Sequence, residues 1–212
     1  MSETEPRFVD PHSIASNPGR VSVKRLRWAR HRPFWPLVWS LPVVVSLVGI
    51  VFQHWAWVIP GMVFMQVLRW YFNGLAEHFH FGDANPGVVV SVSPMRVAVL
   101  TDMSKGGGYY PAIKITEERV PLIGTDKPVV GTRVATVALY ENRVPDAPHW
   151  SGFRPIPIDY VTDDVGELES LMSTFREADW EDLIDGLSEL PKPHQVGLFP
   201  LQWAEPEGRV EH

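Results

Sequence analysis

The sequence predicts a membrane-anchored α+β protein: an N-terminal transmembrane helical hairpin, then a small antiparallel β-barrel with two C-terminal α-helices. Three observations carry that expectation. From Pro33 to Leu68 there is no Lys, Arg, Asp or Glu. Past Gly82 the apolar residues alternate in short runs broken by Gly and Pro, as in half-buried strands. Past Asp163 the apolar spacing becomes helical. The chain divides accordingly into a basic cytoplasmic tail (1–33), the hairpin (34–72), a linker (73–82), the barrel (83–162), a two-helix extension (163–191) and an irregular tail (192–212).

The uncharged run decides which solvent this part of the chain occupies. One span needs roughly 20 apolar residues, because about 30 Å of hydrocarbon is covered at about 1.5 Å per residue. The run is too long for one upright span and slightly short for two. Its midpoint, Gln53-His54-Trp55-Ala56-Trp57, carries polar and indole groups suited to an interface and reads as the turn. Arg69, snorkelling to the headgroups, and Trp70 extend the second limb, and Trp35 and Trp39 mark the matching depth on the first. Arg20, Lys24, Arg25, Arg27, Arg30 and Arg32 precede the run, with no acid between Asp10 and Glu77. Such flanks stay in the cytoplasm, so two crossings place both termini there, at a bacterial cytoplasmic membrane. A single crossing or a non-crossing wedge would leave the domain elsewhere. The stretch VSVKRLRWARHR is thus a topology signal with an attraction for anionic lipid; RNA binding is the other use of such a stretch.

Charge and composition narrow the rest. Residues 1–33 carry seven Lys/Arg against three Asp/Glu, and residues 83–212 carry eleven against twenty-one. The acidic distal part argues against a nucleic-acid partner. With no cysteine, a disulfide framework, a thiolate zinc site and a cysteine nucleophile are excluded.

In the soluble part, Gly82–Gly87 is a turn cluster, and strands are expected at 88–92, 96–101, 110–115, 132–140 and 157–161. Closing them into a barrel would remove exposed edges. Asp164 and Glu167 have the spacing of a helix cap, as do Thr174 and Glu177. Trp180, Leu183, Ile184, Leu187 and Leu190 make an apolar stripe that ends at Pro191.

Chemistry-bearing residues are few. His78 and His80 with Asp83 are the candidates for a metal site, since residues two apart on a strand face one way; a membrane-proximal linker with its histidines at the headgroups is the simpler account, and no metal is assigned. Lys105, Gly106, Gly107 and Gly108, with His149 and Trp150, are the candidate ligand loops, the glycines offering a backbone nest for an anion; they lack phosphate-loop spacing. Asp102, Ser104 and His149 are the residue types of a nucleophile set without a nucleophile turn around Ser104. No catalytic residue and no cofactor is assigned.

The strings GDANPGVVVSVSPMRVAVLTDMSKGGGYYPAIKI, VGTRVATVALY, HWSGFRPIPIDYVTDD and LPKPHQVGLFP resemble a bacterial domain-of-unknown-function family, number 3239, of membrane proteins with an apolar N-terminal segment. The resemblance covers about residues 82–200. It implies a small β-barrel with helical additions and brings no activity, cofactor or catalytic residue. The expected function is therefore a non-enzymatic membrane protein whose cytoplasmic barrel is a protein-interaction or assembly module, its partners being the bilayer and a protein or a second copy. A membrane-tethered sensor of a small ligand or anion is the alternative. A metal-dependent lipid-headgroup enzyme near Glu77–Asp83 is the third reading.

Overall fold

The computed structural model describes residues 15, 17–52, 55–105, 108–124, 127–141 and 147–203. Three helices open the chain: α1 (Arg25–His31), α2 (Phe34–Val51) and α3 (Val58–Phe81), with a 3-10 turn at Trp55–Trp57 between α2 and α3. Helix α2 spans about 27 Å at 1.5 Å per residue and, by length and composition, is the one candidate membrane span among the described residues. Helices α2 and α3 pack on each other where small residues allow it. A Cβ on Gly61 would lie 3.0 Å from Ser46 Cβ, and one on Gly49 would fall 2.4 Å from the Trp57 ring. That register puts the start of α2 level with the middle of α3.

Helix α3 does not stop at the end of the uncharged run. The expected linker 73–82 is helical through Phe81, because Phe72, Leu75 and Phe79 recur at helical spacing and enter the domain core. Phe79 is fully buried, edge-on to Trp28, which in turn stands edge-on to Tyr160. The expected turn cluster 82–87 is likewise mostly strand: β1 begins at Asp83.

Six antiparallel strands follow: β1 (Asp83–Val92), β2 (Met95–Asp102), β3 (Pro111–Glu117), β4 (Arg133–Glu141), β5 (Gly152–Pro157) and, after helices α4 (Val165–Met172) and α5 (Glu177–Glu189), β6 (Gly197–Pro200). Their order is β5-β4-β1-β2-β3-β6. The closed barrel expected from the sequence is thus a curled, open half-barrel, with β5 and β6 as its edges. Pro155 and Pro157 leave β5 without donors at those positions, and β6 is only four residues long, two devices that blunt an edge without closing the ring. The curl is nonetheless deep. A flat sheet would hold β3 and β5 about 19 Å apart at ~4.8 Å per strand, yet the Lys114 ammonium donates to the Phe153 carbonyl. A bulge between Val89 and Ser91 adds to the twist.

Both faces of the central strands are covered. Helix α5 lies on one face through Trp180, Leu183 and Leu187, with Gly186 admitting Ile113 and Leu201; Ile184, expected in the stripe, faces outward. Asp164 caps α4, accepting from the Gly166 and Glu167 amides, whereas α5 is capped by Arg176 and Asp179 rather than by Thr174.

The basic segment is not a free tail. Residues 17–21 run beside the end of α3, the Gly19 amide donating to the Gly82 carbonyl at 2.9 Å and the Val21 amide to that of Phe79 at 3.1 Å. Lys24 pairs with Asp163, and Trp28 Nε1 donates to the Tyr71 hydroxyl at 2.7 Å.

Candidate functional site

Two regions concentrate exposed or buried chemistry. The first is the helical end of the molecule. Most large apolar side chains exposed among the described residues lie between Phe34 and Trp70, on α2, the 3-10 turn and the first half of α3. Trp35 stacks on Trp39 at the start of α2, and exposed Arg69 and Trp70 lie on the part of α3 that faces it. Trp55 and Trp57 sit at the opposite end of the apolar surface, both exposed. The residues Gln53 and His54 of the expected turn lie outside the described ones. Around the base, the cations divide by partner. Arg32 pairs with Glu118 and covers the Tyr160 ring, Arg27 donates to the carbonyls of Asp159 and Pro121, and Arg25 covers Phe72. Arg30 is exposed. A groove of about 910 Å³ opens between α1 and the segment 117–122, with Arg30, His31 and Arg119 in its wall.

The second region is a polar cluster inside the curl, assembled from three strands. Tyr140 Oη lies 2.9 Å from Asp83 Oδ2, 3.0 Å from the Asp102 carbonyl oxygen and 3.0 Å from Thr101 Oγ1. Thr101 Oγ1 also donates to Asp83 Oδ2 at 3.3 Å. Burial pushes the Asp83 carboxyl up to about 6, against the pull of the two hydroxyls. Burial, and then the neighbouring Asp83, raises the Tyr140 phenol. The single Tyr140 proton faces two acceptors, so the cluster can accept a proton on Asp83 and turn the phenol toward Asp102. A cleft of about 560 Å³ reaches it, lined also by Tyr109, Arg176 and Asp179. Sequence reasoning missed this cluster, since Asp83 and Tyr140 are far apart in the chain and only strand pairing joins them.

The candidate metal residues do not converge. They lie on a helix and its exit rather than on one strand, so His78 and His80 face different ways. His78 is buried, its Nε2 3.0 Å from the Val137 carbonyl oxygen, and burial lowers it to about 4. His80 is exposed, and Asp83 turns into the curl. Among the described residues no three His, Cys, Asp or Glu side chains are grouped to hold a metal.

The candidate ligand loops do meet: the Trp150 amide donates to Met103 O and the Lys105 amide to Pro148 O, with Ser104 opposite His149. Lys105 Nζ donates to Ala147 O and sits over the Trp150 ring, which stacks on Tyr140. Gly106 and Gly107 lie outside the described residues; Gly108 has a positive φ and is exposed. Ser104 Oγ donates to Asp102 Oδ2 at 3.1 Å, and His149 Nδ1 lies 2.8 Å from Trp150 O. The serine proton therefore goes to a carboxylate that also holds the Ser104 and Tyr110 amides, a loop-capping arrangement rather than a nucleophile–base pair.

No curated protein matches the chain. It is similar to a crystal structure described as that of a "putative membrane protein" from Corynebacterium diphtheriae, at 25% identity over 56% of this chain and 100% of the other, with a TM-score of 0.49. A family model matches residues 72–190, from the lower part of α3 through α5 and so more than half of the chain, which therefore belongs to the family described as Protein of unknown function (DUF3239).

Proposed function

We propose that this is a non-enzymatic, membrane-anchored protein whose α2–α3 hairpin enters the bilayer and whose half-barrel domain works at the cytoplasmic face as an interaction or assembly module. The observation that carries the reading is the apolar surface between Phe34 and Trp70. Soluble monomers rarely expose patches beyond roughly 300–600 Å², and here most large apolar side chains of an 18-residue helix are exposed, joined by Ile59, Met62, Val63 and Met65 on the facing limb. Tryptophans stand at both ends of that surface, the places where indoles favour a headgroup region. The charge asymmetry around it favours cytoplasmic termini.

The interaction role draws on the domain's construction. Asp102, Lys105 and Asp164 are engaged in loop contacts and caps, and Asp83 and Tyr140 in their shared cluster, while small apolar spots remain outside at Val129, Val130 and Ile184. The anion-sensing alternative has less support, since Lys105 is committed to Ala147 and Trp150. The test is photocrosslinking in intact cells from a probe at Val129 or Ile184 of the full chain. One adduct of fixed mass, absent when the probe is at Ser173 just after α4, is expected. Uncrosslinked monomer from every position would contradict the interaction role.

A further inference from the structure

We propose that the groove between α1 and the segment 117–122 binds the phosphate of an anionic phospholipid, with Arg30 and Arg119 as its counter-ions. The proposal rests on the membrane reading above and adds to it a ligand and a site. The first argument is charge. Two carboxylates border the groove, and both are already neutralised: Glu118 by Arg32, and Glu117 by Arg96 at 2.9 Å. Arg27, behind them, is held by two backbone carbonyls and faces the buried Asp159. Arg30 and Arg119 are both exposed, and no carboxylate among the described residues pairs with either. Two guanidiniums bordering one groove are suited to a phosphodiester, which a planar fork binds through paired N–H donors.

The second argument is place. Arg30 lies four residues before Phe34, so it cannot be farther than about 14 Å from the first residue of the candidate span. A phosphate there is at headgroup depth. The third is the shape of α1. Leu26 and Arg30 are spaced to share one helix face, while Trp28 points into the core. Leu26 is 89% exposed, an apolar foot beside the cation. The far wall adds exposed Val92 and Pro94, so the groove pairs apolar surface with guanidinium, as acyl-linked phosphate requires. The positive field registers on His31, whose imidazole is kept below its ordinary value by burial and then by Arg27 and Arg30. The acidic remainder of the domain repels polyanions in bulk, which favours a lipid lying in the membrane plane over a nucleic acid.

The test uses the full chain in nanodiscs of phosphatidylcholine containing a minority of phosphatidylglycerol, with retained lipids counted by native mass spectrometry. Enrichment of phosphatidylglycerol is expected for the wild type. The Arg30→Gln/Arg119→Gln double variant should lose it by about five-fold or more, on the scale of the attraction each basic residue near an anionic surface supplies. The control Arg133→Gln, on β4 and paired with Glu177, should keep it, and circular dichroism checks that the double variant is folded. Equal retention of both lipids by the wild type, or unchanged enrichment in the double variant, would overturn the site. Binding of free glycerol phosphate by the wild type with no enrichment of phosphatidylglycerol would also overturn it, by showing that the ligand is a soluble phosphate. A protein that never enters the discs refutes the membrane reading itself, an outcome distinct from these.

Discussion

At the scale of single residues, the half-buried Asp83 and the buried His78 are shifted in opposite directions toward the same pH range. Asp83 is raised to about 6 by burial, so between its unfolded value near 4 and about 6 the native state binds more protons than the unfolded one. Its contribution to stability therefore falls as pH rises through that window. His78 is lowered to about 4 by burial, so the unfolded chain takes up the proton first. Its contribution falls as pH drops from about 6.5 toward 4. The two slopes oppose each other, and each single variant should unmask the other. Asp83→Asn should make the protein lose melting temperature more steeply below pH 6 than the wild type. His78→Gln should make the melting temperature rise on acidification from pH 6 to 4. Parallel curves for wild type and Asp83→Asn, recorded by circular dichroism in mild detergent, would refute the assignment. Tyr140→Phe removes the hydroxyl that faces both Asp83 and Asp102. A hydrogen bond to a charged group contributes ~1.5–3 kcal/mol, so a urea titration at pH 7.5 should show a loss of that order. None of these side chains announces its role in the sequence. Asp83 sits in a string that reads as a turn, and Tyr140 ends an ordinary alternating strand; only the β1–β4 pairing brings them together.

At the scale of elements, α3 carries the account. It runs for 24 residues, about 36 Å, with one end among the exposed apolar residues and the other in the core at Phe72 and Phe79. The domain is thus set on a rigid rod, so it is held at a fixed orientation rather than concentrated by a flexible tether. Phe79→Ala should cost about 3–5 kcal/mol, as for a fully buried aromatic. The α5–sheet contact gives an independent check. A Cβ on Gly186 would meet Leu201 Cδ1 at 2.7 Å and Ile113 Cδ1 at 2.9 Å, whereas one on Gly152 would meet nothing within 4 Å. Gly186→Val should therefore cost at least about 1–3 kcal/mol by overpacking, while Gly152→Ala leaves the midpoint within error. Much at this scale was readable beforehand: the β2 and β4 alternation, the Asp164 cap and most of the α5 stripe follow from local pattern. What was not readable is contact between distant segments. The strip 17–24 looks like a free basic tail until the Lys24 amide is seen donating to Val161 O. Helical spacing at Phe72, Leu75 and Phe79 is present in the sequence, but Asn73-Gly74 directly after the uncharged limb reads as its end, so the continuation of one helix into the core shows only in the fold. Closure of the sheet failed for a reason that single strands do not show, the blunted edges at β5 and β6.

For the whole molecule, an apolar rod stands on a fully cored domain, with cations and indoles at the junction. Bilayer hydrocarbon of about 30 Å is close to the length of α2, and the first half of α3 packs beside it with the same outward apolar face. The missing charges made this part of the architecture visible from the sequence, because no tertiary contact is needed to see them; the groove beside α1 was not visible, since Arg30 and Arg119 are brought together only by folding. The absence of cysteine allows the most direct measurement of the central claim, single-thiol labelling in intact spheroplasts with a membrane-impermeant maleimide. Ala56→Cys, in the turn between α2 and α3, is predicted to label from outside, while Ser173→Cys, after α4, labels only after lysis. Labelling of Ser173→Cys in intact spheroplasts, or recovery of the full chain in the aqueous fraction at alkaline pH, would contradict a hairpin that crosses the membrane and returns.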